Sequence, residues 1–198
     1  MCSLESDDPM ILQNHSNSMS DGGKLHADNF KQDHLMTEII KIVKADLNSL
    51  QHTHAIIDLL NAYASGQMGG NHPLTDYVKE NLIGEFKKRS TIQILLAFVG
   101  SRPAGLAICI EGFSTFSCQP LLNIHDLAVA HAFQGRGIGR KLVEHVANLA
   151  KELGCCKVTL EVLDGNTRAS DLYKSCGFAN YALSPEMGTA MFMQRMLS

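Results

Sequence analysis

The spacing of apolar positions divides the chain into one long segment with no period and a run of short segments with a clear one. Residues 1 to about 34 are rich in Ser, Asp, Asn, His and Gly and offer few spaced apolar side chains. Ordering them would cost more entropy than burial returns, so a mobile polar tail is expected, followed by one folded domain over residues 35–198. Thr37 to Lys44 alternates as a strand does, and Asp46 or Ser49 can cap a helix running to about Ala64, with Leu50, Ile56, Ile57, Leu59 and Leu60 as its stripe. After the glycine-rich break from Gly66 to Pro73, helical spacing returns over Leu74 to Arg89. Ile92 to Val99 and Ala104 to Phe113 flank a Gly-Ser-Arg-Pro turn and read as an antiparallel hairpin, and Leu121 to Val129 is a further strand.

From Gly137 the period becomes helical again, through Leu142, Val143, Val146, Leu149, Ala150 and Leu153, until Gly154 ends it. Lys157 to Leu163 is β-branched and alternating, Asn166 to Cys176 is a short helix, and Phe178 to Leu183 and Ala190 to Met196 are expected as closing strands. The order β-α-α-β-β-β-α-β-α-β-β predicts an α/β domain on a mixed, mostly antiparallel sheet, with a right-handed β-α-β unit in its middle.

Length and composition add boundaries. At 198 residues there is room for one domain with a sizeable core. A net charge of −3 without blocks of like charge argues against nucleic acid as a partner. A charged and apolar leader is missing, and so is any run of 18 apolar residues, so the expectation is a soluble cytoplasmic protein with no membrane partner. The six cysteines form no C-x-x-C pair and mostly fall in apolar segments, as reduced core cysteines do. His52 and His54, two apart on a helix, point to different sides, and no metal is expected.

The most informative chemistry lies at Gln134-Gly135-Arg136-Gly137-Ile138-Gly139. Alternate glycines let the backbone turn sharply and present successive N–H groups with no Cβ in the way. A helix begins directly afterwards, so its free N–H groups and positive dipole end face the same concavity. A phosphate is the natural guest, with Arg136 or Arg140 beside it. The P-loop spacing fails, because Arg140-Lys141-Leu142 follows the last glycine. A dinucleotide fingerprint matches only in part and leaves too little chain for a second half-sheet.

These residues resemble the GCN5-related N-acetyltransferases (GNAT), whose signature [R/Q]-x-x-G-x-[G/A] stands here as Gln134-x-x-Gly137-x-Gly139. The likeness continues in the strand ending Asp126-Leu127-Ala128-Val129 and in Asn166-x-x-Ala169-x-x-Leu172-Tyr173-x-x-x-Gly177-Phe178. It implies a sheet splayed near its middle with acetyl-CoA in the opening. Pantetheine would lie along Leu127, Ala128 and Val129, the pyrophosphate on the N–H groups of Gln134, Gly135, Arg136, Gly137, Ile138, Gly139 and Arg140, and Asn166 against the pantetheine arm. Tyr173 would protonate the leaving thiolate, and relatives of this kind are often dimers, which makes a homodimer one expectation.

A phenol of pKa near 10 can share a proton with a thiol of pKa about 8.5, which suits Tyr173 to that role. The acceptor must lose a proton, since an alkylamine is uncharged in only about one molecule per thousand at pH 7. Histidine is the side-chain type best suited to accept a proton near neutral pH, which makes His125 the first candidate; because side chains alternate along a strand, only one of His125 and Asp126 is expected to face the amine. The segments Phe113 to Asp126 and Leu183 to Gly188 are similar to the diamine and polyamine branch, where acidic residues hold a cationic amine; here Asp126, Glu186 and Glu111 are candidates. A small-molecule amine is the first expectation for the acceptor, a protein N-terminus or lysine the second, and an aminoglycoside the third. Direct transfer in a ternary complex is expected, and a non-catalytic acetyl-CoA sensor is the reading from a different class.

Overall fold

The computed structural model describes residues 39–197, and the expected polar tail lies outside them. Among the described residues five strands pair in chain order: β1 (Ile40–Lys44), β2 (Ile92–Val99), β3 (Arg102–Ser114), β4 (Gln119–Val129) and β5 (Val158–Leu160). Neighbours are antiparallel except β4 with β5, which the intervening helix makes parallel. The helices are α1 (Leu50–Ala64), α2 (Asp76–Lys87), α3 (Ile138–Glu152) and α4 (Thr167–Ser175). Among the described residues, no helix is long and apolar enough to cross a membrane.

Alternation along β2 sorts the core into two layers. Ile94, Leu96 and Phe98 join Ala55, Ile56, Leu59 and Leu60 of α1, and Leu95, Ala97 and Val99 join Leu142, Val143 and Val146 of α3. A strand buried on both faces therefore reads as the continuous apolar run Ile-Leu-Leu-Ala-Phe-Val. Ser49 caps α1 by accepting from the His52 amide, and Leu50, expected in the apolar stripe, is instead exposed just after the cap. Thr75 caps α2 through Val78, and Gly154 closes α3 at φ 70°.

Two expectations need correction. The fifth strand is shorter than Lys157 to Leu163, because β4 and β5 part after Ile124 pairs with Leu160 and leave Glu161 to Leu163 without a ladder. The closing strands reduce to one bridge, Ala182 with Thr189, and the Ala190 amide bonded to the Tyr181 carbonyl at 3.1 Å. Their alternation is present in sequence, but no face of the sheet buries it. Tyr181, Leu183, Met191 and Phe192 remain exposed.

Candidate active site

The parting of β4 from β5 opens a cleft of about 620 Å³ along the free edge of β4. Leu127, Ala128 and Val129 line one side of it; Gln134, Gly135, Gly137, Ile138, Gly139 and Arg140 form its end, and Asn166 and Tyr173 come from α4. Gly135 and Gly137 have φ of 80° and 77°, where a side chain would be strained, and no side chain caps α3, so its first N–H groups are left to a ligand. This passes the test for a pyrophosphate: glycines that bare the backbone, at a helix start with open donors.

Side chains around the turn are more engaged than the sequence suggests. Arg140 donates to the Ser175 hydroxyl at 2.7 Å and the Ser175 carbonyl at 3.2 Å, tying α3 to the end of α4. Arg168, for which the sequence carries no signal of a role, lines the cleft and donates to Gln134 Oε1 at 2.7 Å, while Gln134 Nε2 donates to the Val129 carbonyl at 3.3 Å. Arg136 lies outside the lining, its guanidinium 5.4 Å from the centre of the Phe133 ring. Asn166 caps α4, accepting from the Ala169 amide at 3.2 Å.

A second cavity of about 120 Å³ adjoins the cleft, and Tyr63, Met68, Leu127, Asn166, Ala169 and Tyr173 line both. His125 and Glu161 belong to the smaller one. Tyr173 is buried at the junction, and burial foremost, with Tyr63 adding to it, pushes its phenol up to about 12. Tyr63, at the end of α1, donates to the Met68 carbonyl at 3.3 Å, and its own phenol is raised by burial and then by the charge of Asp126. A lone tyrosine just before a glycine-rich break was the only sequence signal for it.

The register of β3 and β4 shows that simple strand alternation is not what sets where His125 and Asp126 stand. Ile108 pairs with Asp126 but Cys109 pairs with Ile124, so His125 is the extra residue of a β-bulge. Ile124 packs in the α3 core, and beyond the bulge Leu127 packs there while Ala128 turns to the α1 core. Both His125 and Asp126 therefore fall on the α1 side. Asp126 lines neither cavity; burial raises its carboxyl, and the neighbouring His125 opposes that rise. Glu186 sits exposed in a short 3-10 turn (Pro185–Met187) and is not brought to either cavity. Glu111 lines neither cavity as well. His52 accepts from the Asp46 amide at 2.9 Å, a local structural bond. Among the described residues, no group of three or more His, Cys, Asp or Glu is placed to hold a metal ion.

A mixed sheet that forks between β4 and β5, with a glycine turn opening α3 at one end of the cleft and a buried phenol at the other, defines the class of α/β fold. Residues 53–178 match the model of the Acetyltransferase (GNAT) family, and the chain belongs to that family. It is 44% identical over 75 residues to a thialysine N-epsilon-acetyltransferase of Bos taurus, covering 35% of this chain and 44% of that protein. A streptothricin acetyltransferase of Streptomyces lavendulae is 41% identical over 71 residues, 35% of this chain and 38% of that one. The matches to the thialysine and streptothricin acetyltransferases span 38 to 55% of those proteins' length. An aminoglycoside acetyltransferase from an uncultured soil metagenomic sample has the same fold, with TM-score 0.64 and 22% identity over 80% of this chain and 97% of that one.

Proposed function

We propose that this chain transfers an acetyl group from acetyl-CoA to a primary amine by direct attack within a ternary complex. The observation that carries this reading is the meeting of two cavities at Tyr173, one long and ending in an anion cradle, the other short and polar. Acetyl-CoA supplies the thioester, an acyl group on a good leaving thiol.

The residues divide the remaining work. N–H groups from Gly135 to Arg140 hold the pyrophosphate, the Gln134 amide being already bonded to the His131 carbonyl at 3.3 Å, and the open edge of β4 at Leu127, Ala128 and Val129 offers backbone partners to the pantetheine amides. Asn166, beside that edge, can turn its amide nitrogen to the same arm while its oxygen caps α4. His125 faces the acceptor cavity and takes the ammonium proton, directly or through water. Tyr173, its phenol pushed up to about 12 by burial, keeps its proton at working pH and donates it as the thiolate departs. A covalent route through Cys109 is disfavoured, because burial, with Asp126 beyond it, pushes that thiol up to about 12.

A small alkylamine is the preferred acceptor. The relatives named as thialysine N-epsilon-acetyltransferases support a lysine-like amine. The test is thiol release from acetyl-CoA over an amine panel spanning diamines, thialysine, peptide N-termini and aminoglycosides, with coenzyme A stabilisation of the protein measured alongside. Stabilisation by coenzyme A without turnover on any amine would make the chain a sensor, and stabilisation by NADH or ATP instead of coenzyme A would overturn the reading.

A further inference from the structure

The acceptor cavity carries a carboxylate whose orientation is set from the neighbouring strand. Among the ionisable residues lining it, Tyr63, His125, Glu161 and Tyr173, only Glu161 has a carboxyl group. Glu161 follows Leu160, the last residue of β5 with a partner in β4, so its backbone stands where the two strands have begun to part. Asn123 reaches across that fork. Its Nδ2 lies 3.3 and 3.2 Å from the two Glu161 carboxylate oxygens and 3.2 Å from the Thr159 hydroxyl. Asn123 pairs with Thr159 in the ladder, and Glu161 is two residues on, so all three side chains stand on one face of the sheet. Leu122 and Ile124 pack on the opposite face, in the α3 core.

We propose that Glu161 binds the ammonium of the acceptor and that Asn123 is its positioning residue, so that the enzyme prefers an amine on an alkyl chain with no anion beside the nitrogen. This rests on reading the larger cleft as the acetyl-CoA site. The amide is a neutral donor that fixes the carboxylate without cancelling its charge. It occupies part of an acceptor capacity of about four lone pairs and leaves the rest for an incoming ammonium. A charge-assisted bond from that ammonium then holds the nitrogen in the cavity that also contains His125 and ends at Tyr173. An amine bearing its own carboxylate on the adjacent carbon would bring a like charge against Glu161, and is disfavoured.

The probes are 1,5-diaminopentane and thialysine as alkylamines and glycine as the amine beside a carboxylate, with coenzyme A binding measured directly by calorimetry. In the full-length wild type, the alkylamines are expected to have the higher kcat/KM. Glu161→Gln should raise the alkylamine KM about tenfold or more with a smaller change in kcat, and Asn123→Leu should raise it about three- to tenfold. Because Asn123 acts through Glu161, the double variant should match Glu161→Gln to within about twofold instead of showing the product of both effects. Coenzyme A affinity should stay within about twofold throughout. The proposal is overturned by an unchanged KM in Glu161→Gln, by multiplying effects in the double variant, by a preference for glycine, or by no saturable use of either alkylamine. In each case intact coenzyme A binding leaves the donor reading standing, whereas a wild type that does not bind coenzyme A removes both.

Discussion

Gly139 and Leu172 meet where α3 crosses α4: a Cβ on Gly139 would lie 3.0 Å from Leu172 Cδ2. The three glycines of the turn thus differ in purpose. Gly135 and Gly137 have positive φ and open space around an added Cβ, so they serve backbone conformation and ligand approach, whereas Gly139 serves the packing of the helix that carries Tyr173.

Gly139→Val should push Leu172 outward and Tyr173 with it, lowering kcat and stability together. Adding Leu172→Ala should restore part of kcat by making room, which steady-state kinetics of the single and double variants can check. Restoration should fail for Gly137→Val, where strain of about 1–2 kcal/mol and crowding of the pyrophosphate act at the backbone, and calorimetry should show weakened coenzyme A binding.

Tyr173→Phe should lower kcat about 10²-fold, within the range usual for loss of a proton donor, with coenzyme A affinity nearly unchanged. Since the phenol is pushed up to about 12, the wild-type profile should show no descending limb from its ionisation below about pH 10. A kcat equal to wild type would remove Tyr173 from the donor role.

Asn166 has two roles that substitution can separate. Asn166→Ser keeps an oxygen able to cap α4 and should hold stability near wild type, while Asn166→Ala should lose about 1 kcal/mol in denaturant unfolding. Both variants lack the amide nitrogen, so both should raise the KM for acetyl-CoA. An unchanged KM would confine Asn166 to capping.

Asp126 is raised by burial, so the folded state takes up its proton at a higher pH than the unfolded chain, whose carboxyl titrates near 3.9. The stability linked to that proton is complete below the unfolded value and is lost as pH rises through the folded one, so the carboxyl costs stability at pH 7. Asp126→Asn should accordingly raise the melting temperature at pH 7, by about 2–4 °C for each kcal/mol relieved, and the difference should narrow as pH falls toward 4. Equal melting curves at pH 7 would show that the charge is well solvated.

Much of the architecture was legible because it is local. The hairpin of β2 and β3, the long α3 after the glycine turn and its Gly154 stop follow from period and punctuation, and they hold in the structure. The shortened β5 and the closing strands were not legible, because alternation reports that a segment could pair and does not report whether a partner strand stays within hydrogen-bonding distance. The His125 bulge was hidden for the same reason: it exists only as a mismatch of register between β3 and β4.

The sequence by itself determined the glycine turn at the start of α3, the two motif segments and the residue types that could handle a proton, since each depends on neighbours a few positions apart. Tertiary structure decided which of these meet. The fork between β4 and β5 brought Tyr63, His125, Glu161 and Tyr173 around one small cavity from four separate elements, and left Glu186 outside it. A site assembled across a splayed sheet depends on where paired strands separate, and that point is fixed by packing over the whole domain.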